Sequence, residues 1–162
     1  DNYIGSTPQP NTRDASWVRF FAERRVGYQL ELARRNGLVD RRLRDDLESI
    51  IARMGDLIPE PVQPSLCHGD LWGGNWLVGE GGIPWLIDPA AYYGDREVDL
   101  AMTELFGGFD RGFYESYEEA WPLPDGHRER VPLYNLYHLL NHANLFGSSY
   151  LRQVATIARR FA

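Results

Sequence analysis

Lysine is absent from this chain: all 17 basic residues are arginine. A guanidinium is a planar fork, so arginine does not simply replace a compact ammonium that reaches into a nucleotide pocket. Cys67 is the only cysteine, which excludes an internal disulfide, argues against a structural zinc site and predicts a reducing, cytoplasmic home. No apolar run approaches the roughly 20 residues that a membrane span needs, and nothing resembles a signal peptide. An excess of positive charge is missing too. The formal net charge of −6 argues against broad binding to nucleic acid or to an acidic membrane surface. There is no internal repeat, no low-complexity tract and no glycine-rich phosphate loop. The one glycine cluster, Gly79, Gly81 and Gly82, reads as a turn. The chain also opens on Asp1 rather than methionine, so its start is expected to be a fragment or a processed end.

What is present suits one globular domain with a substantial core: 162 residues, 43% hydrophobic and 25% charged. Residues 1–12, rich in turn formers, read as an extended lead-in. Two helices are predicted within 13–58. The first runs from 14 to about 36 on Trp17, Phe20, Phe21, Tyr28 and Leu32, and stops at Gly37. The second covers 41–54, capped by Asp40, with Leu43, Leu47, Ile50, Ile51 and Met54 as its stripe and Gly55 closing it. Three prolines in residues 58–64 predict an ordered connector. Residues 65–88 read as a loop and hairpin. Helices are predicted again at 97–106, 111–121, 131–146 and 149–161, making a helical subdomain over 96–162. The fold class is mainly α with one small β-hairpin.

The stretch LCHGDLWGGNWLV, residues 66–78, carries the chemistry. His68, Asp70, Leu71 and Asn75 fall in register with the protein-kinase catalytic loop, H-R-D-L-x-x-x-N. Such a match arises by accident in roughly one chain in a thousand. Gly69 replaces the arginine that answers a phosphorylated activation loop in many protein kinases, which favours a small-molecule kinase. A two-residue primed turn at Gly81-Gly82 predicts that Glu80 pairs with Ile83 and Asn75 with Asp88. An asparagine oxygen beside a carboxylate is a hard donor pair suited to Mg²⁺, with Asp70 upstream as proton acceptor. His68 reads as a packing residue of the loop. Asp99, opening an apolar helix, is expected to bind the loop's backbone N–H groups. Asp95, Arg96 and Glu97 read equally well as a solvated turn. Trp72 could offer a platform for a sugar face, whereas Trp76 reads as core. His138 and His142 lie four apart on a predicted helix. With no third ligand, they read as a face packed near the catalytic loop.

Together, HGDLWGGN, LIDPAAYYGDREVDLAM, YHLLNHANLFGSSY and DNYIGSTPQPN resemble the fructosamine/ketosamine-3-kinase family. The resemblance implies the aminoglycoside-phosphotransferase-like, protein-kinase-like fold. It also implies ATP-dependent phosphorylation of the sugar 3-hydroxyl of ketoamine adducts, which leads to deglycation. By position it makes Asp70 the catalytic base and Asn75 and Asp88 the Mg²⁺ ligands, with ATP as co-substrate and a small sugar-amine as acceptor. The family's amino-terminal lobe, with its phosphate loop and lysine, has no counterpart here. The expectation is a carboxy-terminal catalytic lobe alone, inactive by itself, on which the nucleotide lobe would pack. An aminoglycoside- or choline-kinase-like phosphotransferase and a kinase-like scaffold remain as alternatives.

Overall fold

The computed structural model describes residues 1–162. The expected lead-in is instead a hairpin, β1 (Asn2–Ile4) paired with β2 (Thr7–Gln9). Ile4 faces Thr7 across a Gly5-Ser6 turn, with Gly5 at φ +58°. A glycine at that turn position takes the positive φ without a Cβ penalty. The first helical run, α1, follows as three contiguous segments, Trp17–Arg19, Phe20–Gly27 and Tyr28–Arg35, the middle one wound as a π-helix. Ser16 caps it by accepting from the Arg19 N–H at 3.1 Å. Trp17, Phe20, Phe21, Val26 and Leu30 are buried along it. Asp40 caps α2 (Arg41–Ala52) by accepting from the Leu43 N–H at 2.8 Å. Gly55 does not end that helix but sits inside a separate short turn, α3 (Met54–Leu57).

The proline connector leads into β3 (Ser65–Cys67), which pairs antiparallel with β6 (Tyr92–Gly94). Between them lies the hairpin β4 (Trp76–Val78) and β5 (Pro84–Leu86). The chain thus has three two-stranded sheets rather than one. The hairpin register also differs from expectation by one residue. Trp76 pairs Leu86 and Val78 pairs Pro84, because three residues, not two, make the turn. The Gly79 N–H donates to the Ile83 carbonyl at 2.8 Å, and Gly81 and Gly82 take φ +74° and +79°. Asn75 therefore faces Ile87, whose N–H donates to the Asn75 carbonyl at 3.0 Å, and Asp88 lies one residue further on.

Four helices complete the fold: α4 (Glu97–Phe106), α5 (Arg111–Ala120), α6 (His127–Phe146) and α7 (Leu151–Phe161). Helix α6 is the axis of the core, with Leu133, Leu136, Leu139 and Leu140 buried along it and α4 and α7 packed against it. It starts four residues earlier than predicted and carries Pro132 within it. The reading of 95–97 as a solvated turn does not hold. Asp95 and Glu97 are buried; Asp95 accepts from the Tyr134 hydroxyl at 2.8 Å, and Glu97 takes a two-pronged bond from Arg130 at 2.8 and 2.7 Å. Arg96 stacks on Trp121 at 4.0 Å. The result is a mostly helical domain with small sheets, and no helix is long and apolar enough to cross a membrane.

Candidate active site

Strand β3 delivers the loop at Cys67, and α4 receives it. Both carboxylate oxygens of Asp99 are used: Oδ2 accepts from the His68 N–H at 2.7 Å and Oδ1 from the Gly69 N–H at 2.8 Å. Burial pushes the Asp99 carboxyl above its ordinary pKa, while those two N–H bonds work against the rise. Gly69 sits at φ +82°, and a Cβ there would lie 2.1 Å from the Ala90 carbonyl oxygen. No side chain fits, which gives a physical reason for the missing arginine. The His68 Nε2 lies 2.9 Å from the Ile87 carbonyl. A carbonyl only accepts, so Nε2 carries the proton and Nδ1 accepts from the Asp70 N–H at 3.3 Å.

The asparagine folds back onto the aspartate. Asn75 Nδ2 donates to the Asp70 carbonyl at 2.8 Å and to Asp70 Oδ2 at 3.0 Å. Both amide protons are thereby spent, which leaves the Asn75 Oδ1 as a free acceptor. Burial raises the Asp70 pKa. The Asn75 bond and the nearby His142 and His68 oppose that rise, and Asp88 adds to it. Asp88 is exposed and holds φ +50°, the only non-glycine residue at positive φ. One amide oxygen and one carboxylate are the hard donors on offer, and no group of three or more His, Cys, Asp or Glu side chains gathers to cage a metal. That set suits Mg²⁺, which keeps waters and takes substrate phosphate oxygens for the rest of its shell.

Around this centre the walls are aromatic. Trp72 is 39% exposed and lies over Gly74, where a Cβ would come within 2.3 Å of its ring. Its edge meets Phe106 at 6.4 Å, and Phe106 packs at a tilt against His142 at 4.7 Å. Trp76 is half-buried rather than core, donating to the Gly108 carbonyl at 3.3 Å beside Phe109. The loop after α4 lies on the catalytic loop, since the Gly73 N–H donates to the Gly107 carbonyl at 3.1 Å and a Cβ on Gly73 would reach Gly108 Cα at 2.7 Å.

The two helical histidines separate. His138 is fully buried, and burial takes its pKa down to about 3, so it is a neutral core residue. His142 is half-buried on the side of Asp70, donating from Nδ1 to the His138 carbonyl at 2.8 Å and keeping Nε2 as an acceptor. Sequence reasoning read both histidines as a face packed near the catalytic loop, which describes His142 beside Asp70 but did not set it apart from His138. Its i, i+4 spacing from His138 was the only signal, and it marks both residues alike.

Comparisons with known proteins point to one family over nearly the whole chain. The sequence model of the family described as fructosamine kinase matches residues 1–161. A Vibrio parahaemolyticus protein named "probable ketoamine kinase" is 50% identical over 153 residues, covering 94% of this chain and 52% of that protein. A Synechocystis protein of the same name is 49% identical over 160 residues, covering 99% of this chain and 53% of its own length. The crystal structure of a "putative fructosamine-3-kinase" from Thermobifida fusca superposes with a TM-score of 0.91 at 39% identity, over 98% of this chain and 55% of that one. The chain spans about half the length of the relatives it matches. That corrects the reading of a nucleotide lobe as absent: what the relatives show is correspondence to part of a longer protein.

Proposed function

The chain belongs to the fructosamine kinase family, and from that premise we propose that it carries the acceptor side of ATP-dependent phosphoryl transfer to a hydroxyl of a small ketoamine sugar. The observation that carries this reading is the Asp70 carboxylate, half-buried and held at 3.0 Å by Asn75 Nδ2 beside an open aromatic wall. In this reading Asp70 orients the acceptor hydroxyl and takes its proton as the oxygen attacks the terminal phosphorus of ATP and ADP departs. Asn75 Oδ1 and Asp88 would hold Mg²⁺, which when bound neutralises phosphate charge. In this reading Asp99 and His68 act on the loop rather than on the substrate. Asp99 pins the two N–H groups that set the loop's entry, and His68 ties the loop to the Ile87 carbonyl. The exposed Trp72 face suits the C–H face of a sugar, and His142 Nε2 can accept from a neighbouring hydroxyl. Phosphorylation at the sugar 3-hydroxyl, and the deglycation that follows, is the finer form of the proposal.

A polycationic acceptor would be drawn instead to the cleft of about 940 Å³ between α4, α5 and the start of α6. Three of its four carboxylates are already engaged, Glu97 by Arg130 at 2.7 Å, Glu115 by Arg111 at 2.6 Å and Glu118 by the Leu123 N–H at 3.1 Å. That favours the sugar. The test is an ADP-release assay on the full-length protein with ketoamine sugars, aminoglycosides, choline and peptides. Ketoamine sugars should turn over fastest, and Trp72→Ala should raise KM for them. Preference for an aminoglycoside or choline, with Trp72→Ala silent, would overturn the proposal.

A further inference from the structure

Asp88 has no side-chain partner to hold it in place, and its positive φ of +50° is uncommon outside glycine, though aspartate tolerates it better than most residues. What holds its position lies in the flanking peptides. Upstream, the Ile87 N–H donates to the Asn75 carbonyl at 3.0 Å, and the Ile87 carbonyl accepts from His68 Nε2 at 2.9 Å. Downstream, beyond Pro89, the next two carbonyls are held by side chains from the far end of the sequence. The Ala90 carbonyl accepts from Gln9 Nε2 at 2.9 Å, and the Ala91 carbonyl from Asn2 Nδ2 at 2.8 Å. We infer that Gln9 and Asn2, carried by the amino-terminal hairpin, are positioning residues that set where the Asp88 carboxylate stands.

The wiring of Gln9 supports a positioning task. It is 1% exposed, and its amide is fully engaged: Nε2 also donates to Asn2 Oδ1 at 2.8 Å, and Oε1 accepts from the Tyr137 hydroxyl at 2.6 Å. Because the Ala90 carbonyl can only accept, the amide orientation is fixed by chemistry. Asn2 Oδ1 takes a further bond from Asn11 at 2.8 Å, and Asn11 in turn accepts from buried Arg25 at 2.7 Å. On its other side the Ala90 carbonyl abuts Gly69, where even a Cβ would come within 2.1 Å. The Ala90 peptide is thus gripped between the catalytic loop and the hairpin. A two-stranded hairpin of three-residue strands needs docking, but buried Ile4 and Thr7 already supply apolar and compact contact. Two amides aimed at consecutive carbonyls also fix the direction in which the chain leaves Asp88. Side chains bonded directly to a metal ligand typically change affinity by about 10–100-fold when removed. Gln9 and Asn2 act on Asp88 through the backbone two and three residues on, which points to the lower end of that range.

This inference rests on the reading of Asp88 as a metal ligand, and the test separates the two. Mn²⁺ serves as the probe, its binding to the full-length protein with a non-hydrolysable ATP analogue measured by electron paramagnetic resonance. Unfolding midpoints of each variant are measured without metal. Gln9→Leu should weaken Mn²⁺ binding about ten-fold, and Asn2→Ala should weaken it in the same direction. Ile4→Ala loosens the same hairpin without touching the amides, so it should lower the unfolding midpoint and leave Mn²⁺ affinity within about two-fold. Native Mn²⁺ affinity in Gln9→Leu, or, should that variant not fold, in Asn2→Ala, would overturn the positioning role, as would equal weakening by Ile4→Ala. Native affinity in Asp88→Asn would instead remove the metal-site reading itself.

Discussion

At the scale of single residues, Asp70 combines two features that a proton acceptor needs: access and a raised affinity for the proton. Burial lifts its pKa above the ordinary 3.8, and a base works only when deprotonated. In the full-length protein, kcat/KM should therefore fall as pH drops through a limb lying above 3.8. Asp70→Asn should lower kcat by about 100-fold or more with nucleotide KM little changed. An acid limb at the ordinary value, or near-native turnover in the variant, would move the base elsewhere. His138 gives a stability prediction of its own. Its folded pKa is depressed from 6.5 to about 3, so between those values the unfolded chain binds the extra proton. Stability should fall as pH drops below 6.5, by about 1.4 kcal/mol per pH unit from this group. Urea unfolding between pH 7 and 5 reads the slope, which His138→Leu should reduce by about one proton; an unchanged slope would refute it. The motif made His68, Asp70 and Asn75 legible as a set, and Asp99 was read separately, as an acid opening an apolar helix. Sequence alone could not separate His138 from His142, because helical spacing puts both on one face and only their neighbours tell them apart.

At the scale of elements, what could be read depended on how local the cause was. Asp40 and Leu43 are three residues apart, so the cap on α2 was visible, as was α4 in full. The pairing of β3 with β6 was not, since Cys67 meets Tyr92 across an intervening hairpin and three-residue strands carry almost no periodic signal. Burial of Asp95 and Glu97 was equally hidden, because Tyr134 and Arg130, which satisfy them, come from α6. The hairpin register slipped because two adjacent glycines suit a two-residue turn, whereas Glu80 joins them in a three-residue one. The glycines themselves offer a graded test. Gly81, at φ +74°, has nothing within 4 Å of a built Cβ, so Gly81→Ala meets backbone strain alone, about 1 kcal/mol. Gly69→Ala adds a collision with the Ala90 carbonyl at 2.1 Å and should cost at least ~2 kcal/mol. Urea denaturation of the two variants compares them, and equal losses would mean that the contact across Gly69 is not as tight as the structure has it.

Over the whole molecule, the residues that surround the site divide unevenly between core and surface. Helices α1, α2, α4, α6 and α7 bury their apolar faces against one another, so their stripes were readable from the sequence. The small sheets do so only in part, through Ile4, Cys67 and Tyr92. On β3–β6, Leu66 and Tyr93 are 67% and 68% exposed, and on the β4–β5 hairpin Val78, Ile83, Trp85 and Leu86 all stand between 57% and 63% exposed. A two-stranded hairpin has two faces, and here both carry large apolar side chains with only Trp76, Phe109 and Phe113 near one of them. Contiguous apolar surface of this kind drives association in water. The net charge of −6 opposes it at long range, and salt screens that opposition. The 162-residue chain is therefore expected to self-associate as concentration rises, and more strongly in high salt than in low. Sedimentation velocity across a concentration series at two ionic strengths measures this directly. Replacing Trp85 and Val78 with serine should shift the chain toward monomer, whereas the same change at exposed, polar Glu119 should not. A clean monomer at high concentration and high salt would show that these side chains are too scattered to act as one surface.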